Sequence, residues 1–300
     1  MSFINKALEK AKSLHHQKVK PGPAPSQTPP PLPVLDLDEV TSLGETPGDI
    51  HYTYTRRVTV DMDRLRRNRL IVAGSDETLG EAYKLLRTHI LHGTKREGRN
   101  TLMVTGPVPN EGKTLTTINL AIAISQRVGQ TVLLVDGDLR NPSVHRYLDL
   151  PSGPGLSDYL TSGYPIAESL VHPEGLGNLV VLPAGHPTTQ SGELLSSPLM
   201  VDLVRELKHF YPDRYVLFDL PPLLYADPLA FAPLVDGIIL VVAAGSTPRE
   251  EITHAVEMLK KFKVLGCVLN KVDPVELSYD YDNYYPDEDS QKKFKLPWRK

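Results

Sequence analysis

Lys113 and Thr114 close the run Gly106-Pro107-Val108-Pro109-Asn110-Glu111-Gly112-Lys113-Thr114. A glycine-containing turn followed by a lysine and a hydroxyl can hold a chain of phosphates. The loop from Pro109 would bind nucleotide: backbone amides of Asn110, Glu111, Gly112, Lys113, Thr114 and Leu115 would take phosphate oxygens, with Pro109 shaping the turn. Lys113 would reach the β- and γ-phosphates, and the Thr114 hydroxyl would sit on Mg2+. In the pattern G-x-x-x-x-G-K-[ST] the first position falls on Pro107, with Gly106 one residue early. The string alone is therefore weak, and its surroundings must carry the reading.

Three aspartates supply those surroundings. Thr131–Val135 ends in Asp136-Gly137-Asp138-Leu139-Arg140, and Tyr215–Phe218 ends in Asp219-Leu220-Pro221-Pro222. Each is an apolar strand pattern closed at once by a carboxylate. In an open parallel sheet, ligands bind beyond the carboxyl ends of the strands, so Asp136, Asp138 and Asp219 can meet at the phosphate loop. Mg2+ takes few carboxylates and completes its shell with phosphate oxygens and water. Asp219 fits the role of cation holder, with Thr114 and Asp136 beside it. Asp136 or Asp138 could take a proton from an incoming hydroxyl. Arg140 could neutralise the acidic cluster or touch phosphate.

The elements that must position these residues are legible as an alternation. Short apolar runs at 101–105, 131–135, 179–182, 215–218, 237–243 and 264–269 predict strands. Helical periodicity appears at 114–128, 198–210 and 248–262, and a further helix begins at 76 with Asp76 as its cap. Continuous apolar strands separated by helices predict an α/β, P-loop NTPase-like domain: a mostly parallel sheet with helices on both faces. That domain spans 61–274. Residues 1–18 read as an amphipathic helix, docked on its own domain or serving as a tag for a membrane surface or partner. Residues 19–60 read as a linker, with seven prolines between Pro21 and Pro33. Residues 275–300 read as a flexible tail.

Composition removes other classes. The chain carries 33 basic and 36 acidic residues, a formal charge of −3, so nucleic acid is not an expected partner. One cysteine excludes a disulfide framework or a cysteine-rich zinc site, and Cys267, within an apolar run, is expected to pack in the core. No apolar run reaches the ~18 residues a membrane helix needs, and the N-terminus has no signal-peptide pattern. A cytoplasmic location is expected.

On these residues the sequence resembles the bacterial tyrosine kinases. Lys113, the run Val135–Arg140 and Asp219-Leu220-Pro221-Pro222 are similar to that family's Walker A, A′ and B motifs. Asn141-Pro142-Ser143-Val144-His145, Pro154–Asp158, Leu182–Gly185, Glu193–Ser197 and Val268-Leu269-Asn270 extend the likeness over about 75–275. Asn110 departs from the glycine usual in the loop, but Asn tolerates left-handed backbone better than most residues. The resemblance implies an ATP- and Mg2+-dependent tyrosine autokinase of exopolysaccharide or capsule production. It also implies a separate membrane-spanning activator, with recruitment to the inner face of the membrane, and Asn270 as a contact to adenine.

Two further features follow from the likeness. Tyr279, Tyr281, Tyr284 and Tyr285 lie among Asp280, Asp282, Asp287, Glu288 and Asp289, matching a cluster that such kinases autophosphorylate. Glu81, Lys84 and Arg87 stand where the family carries E-x-x-R-x-x-R, a helix that packs subunits into rings. Lys84 keeps the charge but loses the bidentate fork of arginine. The basic end, Lys292 to Lys300, could touch an anionic membrane. Two other functions share much of this pattern. A MinD/ParA-type positioning ATPase would carry an additional lysine near the loop start, and 106–111 contain none. A nucleotide-bound, non-catalytic scaffold of a polysaccharide assembly machine would not require the intact set Lys113, Thr114, Asp136, Asp138 and Asp219.

Overall fold

The computed structural model describes residues 55–210 and 214–272. The expected helix over 1–18, most of the linker over 19–60 and the tail over 275–300 lie outside the described residues. Eight strands form one sheet: β1 (Arg56–Val58), β2 (Thr101–Thr105), β3 (Thr131–Asp136), β4 (Val171–Pro173), β5 (Leu179–Leu182), β6 (Arg214–Asp219), β7 (Gly237–Ala243) and β8 (Val264–Asn270). Their order is β1-β4-β5-β3-β6-β2-β7-β8. Every pairing is parallel except β4 with β5.

Alternate residues of each strand serve opposite faces. Leu102 and Val104 of β2 join the core beneath the helices Glu77–Lys95 and Lys113–Ser125, together with Ile90, Ile118 and Ile122. Met103 points the other way, toward Met200 and Leu203 of Pro198–Phe210 and Ala255 and Leu259 of Arg249–Leu259. Asp76 caps Glu77–Lys95 by accepting from the amides of Thr78 and Leu79. The helix Lys113–Ser125 is enclosed along most of its length, as a crossover beneath a covering helix must be.

Two expectations need correction. Arg56–Val58 belongs to the sheet, five residues before the expected domain start at 61. It is held by backbone pairing to β4, which leaves no side-chain period to read. Cys267 is exposed rather than buried. It lies on β8, the sheet's last strand, whose Val264 and Leu269 are also exposed. An apolar run at a sheet edge is covered on fewer sides than the same run in the middle.

Candidate active site

The sheet order places the site. β2, which leads into the phosphate loop, lies directly beside β6, and β3 lies on the other side of β6. Asp136 and Asp219 are register partners at the carboxyl ends of β3 and β6, and Asp219 also stands opposite Val104 of β2. Three chain segments far apart in sequence thus end at one edge.

The loop 106–112 is a braced structure. Asn110 has φ +65°, so an asparagine does occupy the left-handed position. Gly112 has φ +88°, and a Cβ there would lie 2.2 Å from Asn270 Nδ2. Glu111 turns beneath the loop. Its carboxylate accepts from the Val108 amide at 3.0 Å and from Thr247 Oγ1 at 2.8 Å, and burial raises its pKa. Asn270 Nδ2 donates to the Glu111 carbonyl at 2.8 Å, and Lys271 Nζ to that of Asn110 at 2.6 Å. Side chains at and just past the end of β8 therefore fix the loop's backbone, and Asn270 commits its amide donor to that task. Gly112 caps the helix Lys113–Ser125 without a side-chain bond, and its first turn contains no acid. Pro109 and Asn110 are exposed at the rim, while Leu115 packs beneath.

Lys113 folds back over the loop, its Nζ donating to Val108 O at 2.9 Å. Burial lowers its pKa, and Glu111, Asp219 and Asp138 pull it back up. Thr114 Oγ1 lies 3.1 Å from Ser143 Oγ. One turn on, Thr117 Oγ1 donates to Asp219 Oδ1 at 3.1 Å. Asp136 Oδ2 accepts from the amides of Ser143 and Val144 at 3.1 and 3.0 Å. Its Oδ1 and the Oδ2 of Asp219 are both buried and without a partner. Burial, then the Asp219 charge, pushes the Asp136 carboxyl well above the ordinary aspartate range. Burial lifts Asp219 to about 7. Two enclosed carboxylates, each with an orphaned oxygen beside Lys113 and Thr114, need a cation or a proton. The described residues contain no group of three or more His, Cys, Asp or Glu that could hold a metal by itself. Two carboxylates and a hydroxyl suit an ion such as Mg2+ that completes its shell elsewhere.

Asp138 is half-buried, with Oδ1 accepting from the Asn141 amide at 2.9 Å, and burial raises its pKa too. Arg140 goes elsewhere than expected. Its guanidinium makes a two-point bond to Asp227, at 2.8 and 3.2 Å, and lies over the Tyr225 ring. Asp227 is fully buried and also accepts from Ser191 Oγ. Sequence reasoning missed Thr117, Ser143 and Asp227. Thr117 alone left a signal, since it repeats Lys113 and Thr114 at helical spacing. On the helix Glu77–Lys95, Glu81 and Lys84 pair with each other on the exposed surface at 2.6 Å. Arg87 Nη1 turns inward to the Ala123 carbonyl at 2.9 Å. Tyr279, Tyr281, Tyr284 and Tyr285 lie outside the described residues.

Comparison with known proteins agrees with this geometry. Residues 102–285 match the family described as CobQ/CobB/MinD/ParA nucleotide binding domain. The tyrosine-protein kinase YwqD of Bacillus subtilis is 34% identical over 69% of this chain and 87% of its own length. ExoP of Rhizobium meliloti, a succinoglycan biosynthesis transport protein, is 32% identical over 77% of this chain but only 29% of its own length. The kinase domain of the Escherichia coli tyrosine kinase ETK superimposes with a TM-score of 0.58 and 30% identity, covering 64% of this chain and 75% of that one. With its phosphate loop, its paired aspartates and these relatives, the chain belongs to the bacterial tyrosine-protein kinase family.

Proposed function

We propose that the protein is an ATP- and Mg2+-dependent autokinase that phosphorylates Tyr279, Tyr281, Tyr284 and Tyr285 of a second copy, and so regulates exopolysaccharide or capsule production. The observation that carries this reading is the pair of orphaned, in-register carboxylate oxygens on Asp136 and Asp219 next to Lys113. Asp219, Asp136 and Thr114 would hold Mg2+, which when bound neutralises charge on the phosphates. The amides from Asn110 to Leu115, in a loop that Pro109 shapes, would cradle those phosphates, with Asn270 and Glu111 keeping the loop in shape. Lys113 leaves the Val108 carbonyl for the phosphate oxygens. Asp138, raised in pKa and partly open to solvent, accepts the tyrosine proton as its oxygen bonds to the γ-phosphorus and ADP departs. Asp136 is less suited to that step, since its Oδ2 is held by two amides. Positioning and electrostatics supply most of the acceleration.

The polysaccharide assignment draws support from the likeness to ExoP, whose name places it in succinoglycan transport. The match spans under a third of ExoP; the activator would be a separate membrane-spanning partner. No helix among the described residues is long and apolar enough to cross a membrane. That partner would recruit the protein from the cytoplasm to the membrane's inner face. Self-association as a ring would use the exposed Glu81–Lys84 face. The test is phosphosite mapping after incubation with Mg-ATP, with Lys113→Ala as control. Phosphotyrosine at 279–285 in the parent only is expected. ATP hydrolysis without phosphotyrosine, or phosphate confined to Ser and Thr, would overturn the assignment.

A further inference from the structure

The two edges of the sheet are built differently. β1, at one end, is three residues long and carries Arg56 and Arg57, both exposed. A short, charged edge strand discourages further pairing. β8, at the other end, runs from Val264 to Asn270 with no charge and no proline. Among the described residues only β7 pairs with it. Its outer row of amides and carbonyls is open to a further strand.

One face of β8 is bare as well. Ile238, Leu240 and Val242 of β7 stand beside Val264, Cys267 and Leu269 of β8. The first three are buried in the core that Ala255 and Leu259 of Arg249–Leu259 cover. The second three are exposed. On the opposite face Val268, beside Val241, packs on the other core. The apolar row is thus covered at β7 and laid open at β8. A long uncharged edge with a bare apolar face invites aggregation unless something covers it.

The chain itself supplies a fitting segment. Residues 273–300 follow directly from the end of β8, and near their close Lys293-Phe294-Lys295-Leu296-Pro297-Trp298 alternates strictly. In an extended strand Phe294, Leu296 and Trp298 share one face, and Lys293, Lys295 and Pro297 share the other. Backbone bonding follows the same parity. Proline has no amide to donate, so its set must face solvent, which turns the amides of Phe294, Leu296 and Trp298 toward β8. Lysine and proline on the outward set are the residues that blunt a new edge. Length is no obstacle. Residues 273–291 reach about 60 Å when extended, and a seven-residue strand is only about 23 Å long.

We infer that Lys293–Trp298 adds to the outer edge of β8 as an antiparallel strand of the same chain, with Phe294 and Leu296 laid beside the bare row Val264, Cys267 and Leu269. The stretch between, with its four tyrosines, becomes a loop tethered at both ends. The inference stands independently of the autokinase reading.

The chain's one cysteine and one tryptophan report on the two strands separately. Cys267 is alkylated with iodoacetamide, an uncharged reagent, in three full-length proteins without nucleotide. They are the parent, Phe294→Ser with Leu296→Ser, and Lys293→Gln with Lys295→Gln. The serine pair should raise the alkylation rate roughly ten-fold, the effect of losing about two cross-strand pairs, and should shift Trp298 emission to the red. The glutamine pair, at the outward positions, should leave both at the parent's values. Hydrogen exchange over 264–270 should quicken in the serine variant only. Equal rates in all three proteins, or equal acceleration by both pairs, overturns the inference. So does protection of Cys267 that rises with protein concentration and ignores positions 294 and 296, which would mean that a second copy covers the edge.

Discussion

Asp219→Asn should stabilise the nucleotide-free protein while abolishing phosphotransfer. The carboxyl is enclosed at the end of β6, its Oδ2 has no partner, and burial raises its pKa from 3.8 to about 7. A shift of that size places roughly 4 kcal/mol on the ionised form. An asparagine must also be buried there, though it keeps the bond from Thr117, so we expect about half, ~2 kcal/mol, as measured stabilisation at pH 8. For a domain of this size that is roughly 4–8 °C in Tm. The sign follows from proton linkage. Between 3.8 and about 7 the folded state holds more protons at this site than the unfolded chain, so the parent loses stability as pH rises through that window. The variant has no such slope. Thermal unfolding of the full chain in EDTA, without nucleotide, should show the largest gap at pH 8, closing steadily toward pH 4. Adding Mg-ATP should raise the parent's Tm far more than the variant's. A variant that melts at or below the parent at pH 8, or a gap independent of pH, would refute the account of Asp219 as a strained carboxylate awaiting a cation.

Gly112→Ala should cost roughly 1–2 kcal/mol for its left-handed backbone alone, and its Cβ would displace Asn270 from the Glu111 carbonyl; calorimetry should find Mg-ATP affinity lost while the far-UV spectrum is kept. At the opposite end of β2, Asp236 accepts from the amides of Asn100 and Thr101, the Thr101 hydroxyl and Lys208. Burial raises its pKa, but these donors more than offset that and leave it below the ordinary value. Its contribution is therefore present above the unfolded aspartate pKa and lost as pH falls through the folded one. Asp236→Ala should lose roughly 2–3 kcal/mol at pH 7 through its stranded donors; urea unfolding at pH 7 and in strong acid checks this, and an equal deficit at both would contradict it.

The sheet was readable because buried parallel strands must be apolar along their whole length, and helices betray themselves by period. The strands β2, β3, β5, β6, β7 and β8 and the covering helices at 77–95, 198–210 and 249–259 each carried that local signal. Arg56–Val58 and Val171–Pro173 did not, because three residues are too few to show a period, although Val58 and Val171 pack on the core. Exposure of Cys267 likewise depends on β8 lying at the edge of the sheet, and strand order is a long-range property. Within the site, Asp136, Asp138 and Asp219 declared themselves by closing or closely following strands, and Lys113 by its place between a glycine-containing loop and a helix.

What those residues touch was decided only by folding. Arg140 is one position from Asn141 and three from Ser143 yet bonds to Asp227, nearly ninety residues away, since a guanidinium settles where a buried carboxylate would otherwise lack a countercharge. Arg87 turns to a helix carbonyl while Lys84 stays outside, a difference of position around one helix. Residue type and spacing determined by themselves which groups could perform phosphate chemistry. The tertiary structure alone decided which carboxylate oxygens remain without partners, because hydrogen-bond satisfaction in a packed interior depends on neighbours that only the strand order brings together.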